Sequence, residues 1–191
     1  MHAILQDLRL RGIAPGADLN LYVDASNTLR DTWARLRRFA LAQSGPITLD
    51  IMCHGFESHN DYVGRQSVVD AIGGSGLQLC KENLKHSTVR TTEELAGVVS
   101  TITVFACSAA ETHPGYVGST RDGQQLFREM SAHTGATIYA ADATQWYRHR
   151  SVTLPNASAS VIDFGGWEGS VWEFTPDGTV TLVERNPVRS H

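Results

Sequence analysis

Four short apolar segments constrain the fold of this chain more than any other feature of its sequence. They are 19–23 (LNLYV), 47–53 (ITLDIMC), 101–106 (TITVFA) and 136–141 (ATIYAA), and stretches with helical spacing separate them. Apolar runs of this length, rich in β-branched residues, are typical of strands buried in a parallel sheet. Their alternation with helices predicts an α/β sandwich in which helices flank a mainly parallel sheet, with 19–23 as its first strand.

Capping residues indicate where two of the helices begin. The first helix covers roughly 27–43, with Ser26 or Asn27 as its N-cap. Thr91 and Glu94 have the spacing of a capping box, which predicts a short second helix.

The remaining pattern predicts one more helix, a short strand and a hairpin. The helix covers about 122–134, the strand lies near 77–80, and the C-terminal β-hairpin spans 171–184 around a Pro-Asp-Gly turn. The polar, glycine-rich segment 56–76 is expected to be a mobile surface loop.

Composition excludes several classes of function. The 191 residues suit a single domain, 1–191. A net charge of -4 gives no basic footprint for nucleic acid, and no apolar stretch approaches the roughly 20 residues of a membrane span. Three cysteines without a signal-peptide pattern fit a reducing, cytoplasmic compartment, although export without a cleavable signal would leave the same sequence.

His54 and Cys107 directly follow two of the apolar segments, 47–53 and 101–106. Sites in open parallel sheets lie beyond the carboxyl ends of the strands, and neighbouring strands are about 4.8 Å apart, so both side chains can face one substrate. An imidazole beside a thiol can activate it and then protonate a leaving amine. Gly55 can bring its N–H close to a substrate carbonyl and form an oxyanion hole with the N–H of Cys107. No third residue that would orient His54 is evident, so the sequence predicts a catalytic dyad.

Structural explanations exist for each of these residues. Cys107 alone is compatible with a small buried hydrophobe, and His54 with a hydrogen-bonded histidine at a turn. Cys53 and Cys80 are expected to pack in the core, Cys80 within the strand near 77–80. Cys53 and His59 do not indicate a metal site, because zinc needs three or four converging ligands.

The sequence blocks around His54 and Cys107 resemble those of the caspase-like (clan CD) cysteine peptidases, which include caspases, metacaspases, gingipains, separases and CHAT domains. The blocks are LDIMCHGF (49–56) and TITVFACSA (101–109). Segment 76–95 is similar to the strand-and-helix insert before the cysteine block in CHAT-like domains. Segment 123–142 resembles the helix and strand that follow the cysteine in bacterial relatives of unknown function. The resemblance covers roughly residues 19–145.

This resemblance implies a caspase-like three-layer sandwich and a cysteine endopeptidase that acts on protein or peptide substrates without a cofactor or metal. His54 would be the general acid–base, Cys107 the nucleophile and Gly55 part of the oxyanion hole. Asp24, just after the first strand, would lie in the S1 pocket and favour Arg or Lys at P1. Metacaspases carry a second Asp close before the cysteine, where this chain has Phe105-Ala106, which weakens the inference of a basic P1 residue.

Two other functions stay open on the sequence. One is a catalytically inactive recognition or regulatory module of the same fold, and the other is a different thiol-dependent amide hydrolase. The loops 56–76 and 108–121 would flank the cleft, where a regulatory partner protein could act on them. Trp167, within GGWEG, either covers the sheet or lines a substrate groove.

Overall fold

A computed structural model describes residues 1–14, 16–55, 58–59, 71–72, 74–154 and 157–184. In chain order its elements are β1 (His2–Asp7), β2 (Leu19–Val23), α1 (Leu29–Leu41), β3 (Ile47–Met52), β4 (His54–Gly55), β5 (Ser58–His59), β6 (Ala71–Ile72), β7 (Leu77–Gln78), a 3-10 helix (Val89–Leu95), β8 (Val99–Phe105), a 3-10 turn (Pro114–Tyr116), α2 (Gly123–Thr134), β9 (Thr137–Ala141), β10 (Arg148–Leu154), β11 (Ala157–Asp163), β12 (Val171–Phe174) and β13 (Val180–Glu184).

The centre of the fold is a seven-stranded sheet in the order β13-β12-β9-β8-β3-β1-β2. The pairs β2–β1, β1–β3, β3–β8 and β8–β9 are parallel, while β12 pairs antiparallel with both β9 and β13. This confirms the α/β class, the mainly parallel sheet and the C-terminal hairpin. Five carboxyl strand ends therefore meet at one edge of the sheet, where a site is expected.

The prediction that 19–23 is the first strand was wrong, because β1 precedes it and lies between β2 and β3. Polar Gln6 and Asp7 obscured this six-residue strand. Gln6 is fully buried, where its Nε2 donates to the carbonyl of Gly12 at 2.7 Å and its Oε1 accepts from the N–H of Ala14 at 2.7 Å. A buried amide is tolerated because the following loop satisfies it.

The helices confirm the broad pattern and correct its details. The N-cap of α1 is Thr28, whose Oγ1 accepts from the N–H of Asp31, instead of Ser26 or Asn27. The capping box of Thr91 and Glu94 is absent from the described 3-10 segment, since the Thr91 hydroxyl donates to the carbonyl of Thr88.

The third helix and the short strand followed the prediction more closely. The helix forms as α2, with Asp122 as the N-cap that accepts from the N–H of Gln125. The short strand is β7, which ends before Cys80; that residue has a positive φ of 58° and lies outside the strand.

One face of the sheet and the helical segments share a single core. It contains residues of α1, the 3-10 helix and α2 together with alternate residues of the central strands, among them Leu5, Leu49, Ile102, Trp33, Leu95 and Phe127. The opposite face carries Gln6 and Phe105, and the loop after β1 meets the β10–β11 hairpin there through the bridge between Ile13 and Val161. The core thus fixes the strand ends that carry the candidate site.

Most of the expected loop 56–76 lies outside the described residues. Within the described ranges, none of the helices has the length and apolar character needed to cross a bilayer.

Candidate active site

The register of β3 and β8 places His54 and Cys107 at the same level of the sheet. Met52 is paired with Phe105, and the N–H of Cys53 donates to the carbonyl of Phe105 at 3.2 Å. His54 and Cys107 each follow two residues after this pair, and both are half-buried. The apolar strands therefore bring the two blocks to neighbouring positions at the carboxyl edge, as the sequence predicts.

Gly55 lies directly against the backbone of Cys107. A Cβ atom at Gly55 would lie 1.8 Å from the Cys107 carbonyl oxygen and 3.2 Å from the Cys107 nitrogen. No side chain fits in that space, so glycine is required for this close approach. The contact joins the histidine block to the cysteine block through their main chains.

The imidazole of His54 is oriented by a main-chain carbonyl. Its Nε2 lies 3.3 Å from the carbonyl oxygen of Arg9, in the loop after β1. A carbonyl oxygen only accepts, so Nε2 carries the hydrogen in this bond and the lone pair of a neutral ring lies on Nδ1. This carbonyl is the orienting third group that sequence analysis missed, because a main-chain acceptor has no residue-type signature.

The loop that presents this carbonyl is held by a buried ion pair. Asp7, with no exposed surface, accepts from the Nε of Arg9 at 2.7 Å and from its Nη2 at 2.5 Å. Asp7 also accepts from the N–H of Cys80, and Arg9 donates to the carbonyl of Cys80 at 2.9 Å. The hydrogen bond to Asp7 raises the pKa of the Arg9 guanidinium above its usual value. The sequence gives only a weak signal for this pair, since Asp7 follows polar Gln6 after a short apolar run, Ala3 to Leu5.

Cys107 lies just before a conformationally unusual turn. Ser108 has a φ of 47°, a left-handed conformation that is uncommon outside glycine and often marks functional sites. Three main-chain bonds hold the turn, from Ser108 to Ala143 and from Gly74 and Glu111 to the Ser108 carbonyl. The turn therefore fixes the main chain that carries the thiol.

The thiol of Cys107 contacts a main-chain carbonyl. The Sγ of Cys107 lies 3.5 Å from the carbonyl oxygen of Gln145, and a thiol is a weak donor. Gln145 is buried and bonds through its amide to the carbonyl of Glu168 at 2.8 Å. The loop after β9 and the loop before β12 thus form one wall beside the thiol.

Aromatic rings continue this wall. Trp167 stacks on Phe105, two residues before Cys107, with ring centroids 4.9 Å apart, and Phe164 lies 5.3 Å from the same ring. This position confirms the first of the two sequence-based alternatives, that Trp167 covers the sheet; a role in a substrate groove stays a prediction.

The other two cysteines are buried. Cys53 and Cys80 are 1% and 0% exposed, which confirms the expected core packing. Burial raises the pKa of both thiols, that of Cys80 to about 11. Neither forms a nucleophilic thiolate readily near neutral pH, whereas Cys107 is half-buried.

Asp24 lies at the same edge but farther from Cys107. The strand order puts three spacings, roughly 14 Å, between β2 and β8. The Asp24 carboxylate accepts from the hydroxyl of Ser26 at 2.6 Å and from its N–H at 2.7 Å, and these bonds lower the pKa of Asp24. The structure therefore brings His54, Gly55 and Cys107 together and leaves Asp24 as an ionised group toward the outer end of the edge.

Fold and edge geometry define the class: an α/β protein with a histidine and a cysteine at equivalent ends of two neighbouring parallel strands. Comparisons with family models, curated proteins and solved structures gave no match to this chain.

Proposed function

We propose that this protein is a caspase-like cysteine endopeptidase, with a three-layer sandwich fold, that cleaves peptide bonds through His54 and Cys107. The observation that carries the proposal is the contact between Gly55 and Cys107. Because a Cβ at Gly55 would lie 1.8 Å from the Cys107 carbonyl oxygen, the histidine and cysteine blocks meet without intervening side chains.

In the first half-reaction, the Nδ1 of His54 accepts the thiol proton and the sulfur of Cys107 attacks the substrate carbonyl carbon. The C=O electron pair moves onto oxygen, and its return breaks the C–N bond. His54 gives the proton to the departing amine, which leaves a thioester on Cys107. The Nε2 bond to Arg9 keeps Nδ1 as the atom that exchanges the proton.

In the second half-reaction, His54 takes a proton from water as the water oxygen attacks the thioester carbon. Collapse of the tetrahedral intermediate breaks the C–S bond and releases a carboxylic acid, and the thiolate recovers its proton from His54. The thiol of Cys107 must leave its weak contact with the Gln145 carbonyl to reach the substrate.

The N–H of Gly55 suits the role of an oxyanion donor. Gly55 is paired with Leu77, but Leu77 directs both its N–H and its carbonyl to Leu84, at 2.8 and 3.0 Å. The strand partner opposite Gly55 therefore does not use its N–H. A preorganised N–H at a developing oxyanion is among the largest contributions to acyl transfer.

The substrate is a protein or peptide, and Asp24 favours Arg or Lys at P1. The depressed pKa of Asp24 keeps this carboxylate charged at neutral pH, as a basic side chain requires. A long side chain such as Arg suits a carboxylate that lies several strand spacings from the nucleophile.

The proposal is tested by the intact mass of the protein after incubation with an arginyl chloromethylketone. The expected result is one adduct, mapped to Cys107, that is absent from Cys107→Ala and slowed strongly in His54→Ala. His113→Ala, a change at an exposed histidine, serves as the matched control and should label like wild type. Cys53 and Cys80 are internal controls for nonspecific alkylation.

Labelling that persists in Cys107→Ala, or that falls mainly on Cys53 or Cys80, would overturn the assignment and favour an inactive recognition module. Labelling at Cys107 without turnover of any peptide in a substrate library, but with turnover of other amides, would favour a different thiol-dependent amide hydrolase.

A further inference from the structure

A cavity lies beside the turn that follows Cys107. It has a volume of about 370 Å³ and is lined by Ser75, Lys85, His86, Ser87, Thr120 and Arg121. Three separate segments of the chain contribute to it: the glycine-rich stretch before β7, the loop after β7 and the segment that leads into α2. The lining consists of cationic and hydroxyl-bearing residues, and the proposed peptidase mechanism uses none of them.

Two of the lining residues, Lys85 and Arg121, carry a positive charge. Among the described residues, no acidic side chain forms an ion pair with Lys85 or Arg121. The guanidinium of Arg121 lies over the ring of Tyr116, 5.1 Å from its centroid, and donates to the Tyr116 hydroxyl at 3.3 Å. The aromatic ring orients Arg121 without neutralising it, so its charge remains available to an anion.

Two acidic side chains beside the cavity have hydrogen-bond partners other than Lys85 and Arg121. Glu129 contacts the Nδ1 of His86 at 3.1 Å, while the Nε2 of His86 lies 3.2 Å from the carbonyl oxygen of Asp122. The Asp122 carboxylate accepts from Thr112 and from the N–H groups of Gly118 and Gln125. His86, Lys85 and Arg121 line the cavity, and among the described residues these carboxylates form no ion pair with Lys85 or Arg121.

An unsatisfied hydroxyl also points to a missing ligand. The Oγ of Ser75 is buried and has no hydrogen-bond partner within the part of the chain that the structure describes. Buried polar atoms in native proteins are nearly always paired, so rotation of the shielded Ser75 hydroxyl toward a ligand in the adjoining cavity would give it a partner. Ser87 and Thr120 add two further hydroxyl donors to the same cavity.

We propose that this cavity binds a phosphate group, either as inorganic phosphate or as the phosphate of a small monoester. Phosphate carries a charge of about -1.5 to -2 at neutral pH and several acceptor oxygens. Two cations match that charge, and three hydroxyls match the acceptors. A carboxylate has only one charge and two oxygens, so it would leave part of the lining unsatisfied.

Bound phosphate would also connect to the candidate active site. The N–H of Gly74, next to Ser75, donates to the carbonyl of Ser108 at 2.9 Å, and Ser108 follows Cys107. A phosphate that joins Ser75 to Lys85 and Arg121 would therefore restrain the turn that carries the nucleophile.

The test is a titration with inorganic phosphate at constant ionic strength, followed by ¹H–¹⁵N NMR. Saturable shifts confined to the six lining residues and their neighbours are expected. Lys85→Gln and Arg121→Gln should each weaken binding at least about tenfold, the effect of losing one hydrogen bond to a charged group. Lys81→Gln changes the only other lysine of the chain, and Arg30→Gln changes an exposed arginine on α1; both should bind like wild type.

Parallel titrations with glycerol 3-phosphate and acetate identify the ligand. Tighter binding of the monoester than of inorganic phosphate supports a monoester ligand, and the reverse supports free phosphate. Acetate that binds as tightly as phosphate would overturn the proposal. So would shifts that never saturate, or equal weakening by Lys81→Gln and Lys85→Gln. Thermal unfolding of each variant establishes that it is folded, so that lost binding reports on the cavity.

Discussion

The histidine side and the cysteine side of the sheet edge are held by different kinds of contact. On the histidine side, Asp7 has no exposed surface and forms charge-assisted bonds with Arg9, whose carbonyl faces His54. On the cysteine side, Cys107 is half-buried, and its thiol has a 3.5 Å contact with the carbonyl of Gln145.

The difference matches the tasks proposed for the two residues. A base must present one nitrogen in one direction, and short charge-assisted bonds provide that orientation. A nucleophile must move toward the substrate, and the 3.5 Å contact of a thiol with a carbonyl oxygen is weaker than those charge-assisted bonds. The same edge of the sheet thus combines a half held by a buried carboxylate and a guanidinium with a half whose thiol contacts a main-chain carbonyl.

Removing the buried charge of Asp7 should lower the free energy of unfolding more than any other change predicted below. Asp7→Asn leaves Arg9 without its charged partner, and breaking such a pair typically costs about 3–5 kcal/mol. Because the Arg9 side chain is 28% exposed and can be rehydrated, the loss in free energy of unfolding should lie near the lower end of that range. Urea denaturation measures it.

Asp50→Asn is the matched control for this prediction. Asp50 is another strand aspartate, and its carboxylate contacts His2 at 2.9 Å in a more exposed setting. Its loss should cost less than about 1 kcal/mol. Equal losses of unfolding free energy in Asp7→Asn and Asp50→Asn would mean that the ion pair of Asp7 with Arg9 does not hold the loop after β1.

The contact between the histidine side and the cysteine side of the sheet edge depends on Gly55. Gly55→Ala places a Cβ on the Cys107 carbonyl, so the main chains must separate. Overpacking of this kind costs about 1–3 kcal/mol, and alkylation of Cys107 should slow because His54 moves away with its strand. Stability and labelling rate are both measured. Gly45→Ala is the control: a Cβ there meets nothing within 4 Å, so neither stability nor labelling rate should change. If Gly55→Ala is labelled at the wild-type rate, the contact between Gly55 and Cys107 has no role in the mechanism.

The buried thiols predict how stability depends on pH. Burial raises the pKa of Cys53 and raises that of Cys80 to about 11, from an ordinary value near 9.0. In the unfolded chain both thiols lose their protons near pH 9, whereas in the native state they keep them. Stability is therefore fully present below pH 9 and falls as pH rises, by roughly 1 kcal/mol per thiol between pH 9 and 10.

Denaturation at pH 8, 9 and 10 tests this prediction. Cys80→Ala should reduce the fall, because it removes one of the two buried thiols; Cys53 and two tyrosines with raised pKa values, Tyr22 and Tyr139, still contribute. A fall that Cys80→Ala does not alter would assign the pH dependence to other groups.

Much of the fold could be predicted from local pattern. β3, β8 and β9 are mainly apolar and rich in β-branched residues, and α2 has both an Asp122 cap and a Gly135 that ends it with a φ of 70°. β1 could not be recognised, because its Gln6 and Asp7 acquire partners only when the following loop folds back. Local pattern identifies a strand only when its side chains are satisfied locally.

The candidate site likewise has residues that the sequence predicts and contacts that it does not. His54, Gly55 and Cys107 could be proposed because each follows an apolar strand, and strand ends meet at one edge. The carbonyl of Arg9 and the contact with Gln145 could not, since main-chain acceptors look alike in every residue. Their positions depend on tertiary register and loop path.

Asp24→Asn should have the smallest effect and tests how far the site extends from its two halves. Asp24 lies at the end of β2, so it can contribute only through a long basic P1 side chain. An exposed ion pair contributes little, so the preference for an arginyl over a norleucyl chloromethylketone should fall by at most about fivefold. Asp18→Asn, at the opposite end of β2, is the control and should keep the wild-type ratio.

Labelling rates of Cys107 with the two reagents give the ratio. An unchanged ratio in Asp24→Asn would confine the site to His54, Gly55, Cys107 and the aromatic wall beside them, and would leave Asp24 a structural role as acceptor for Ser26.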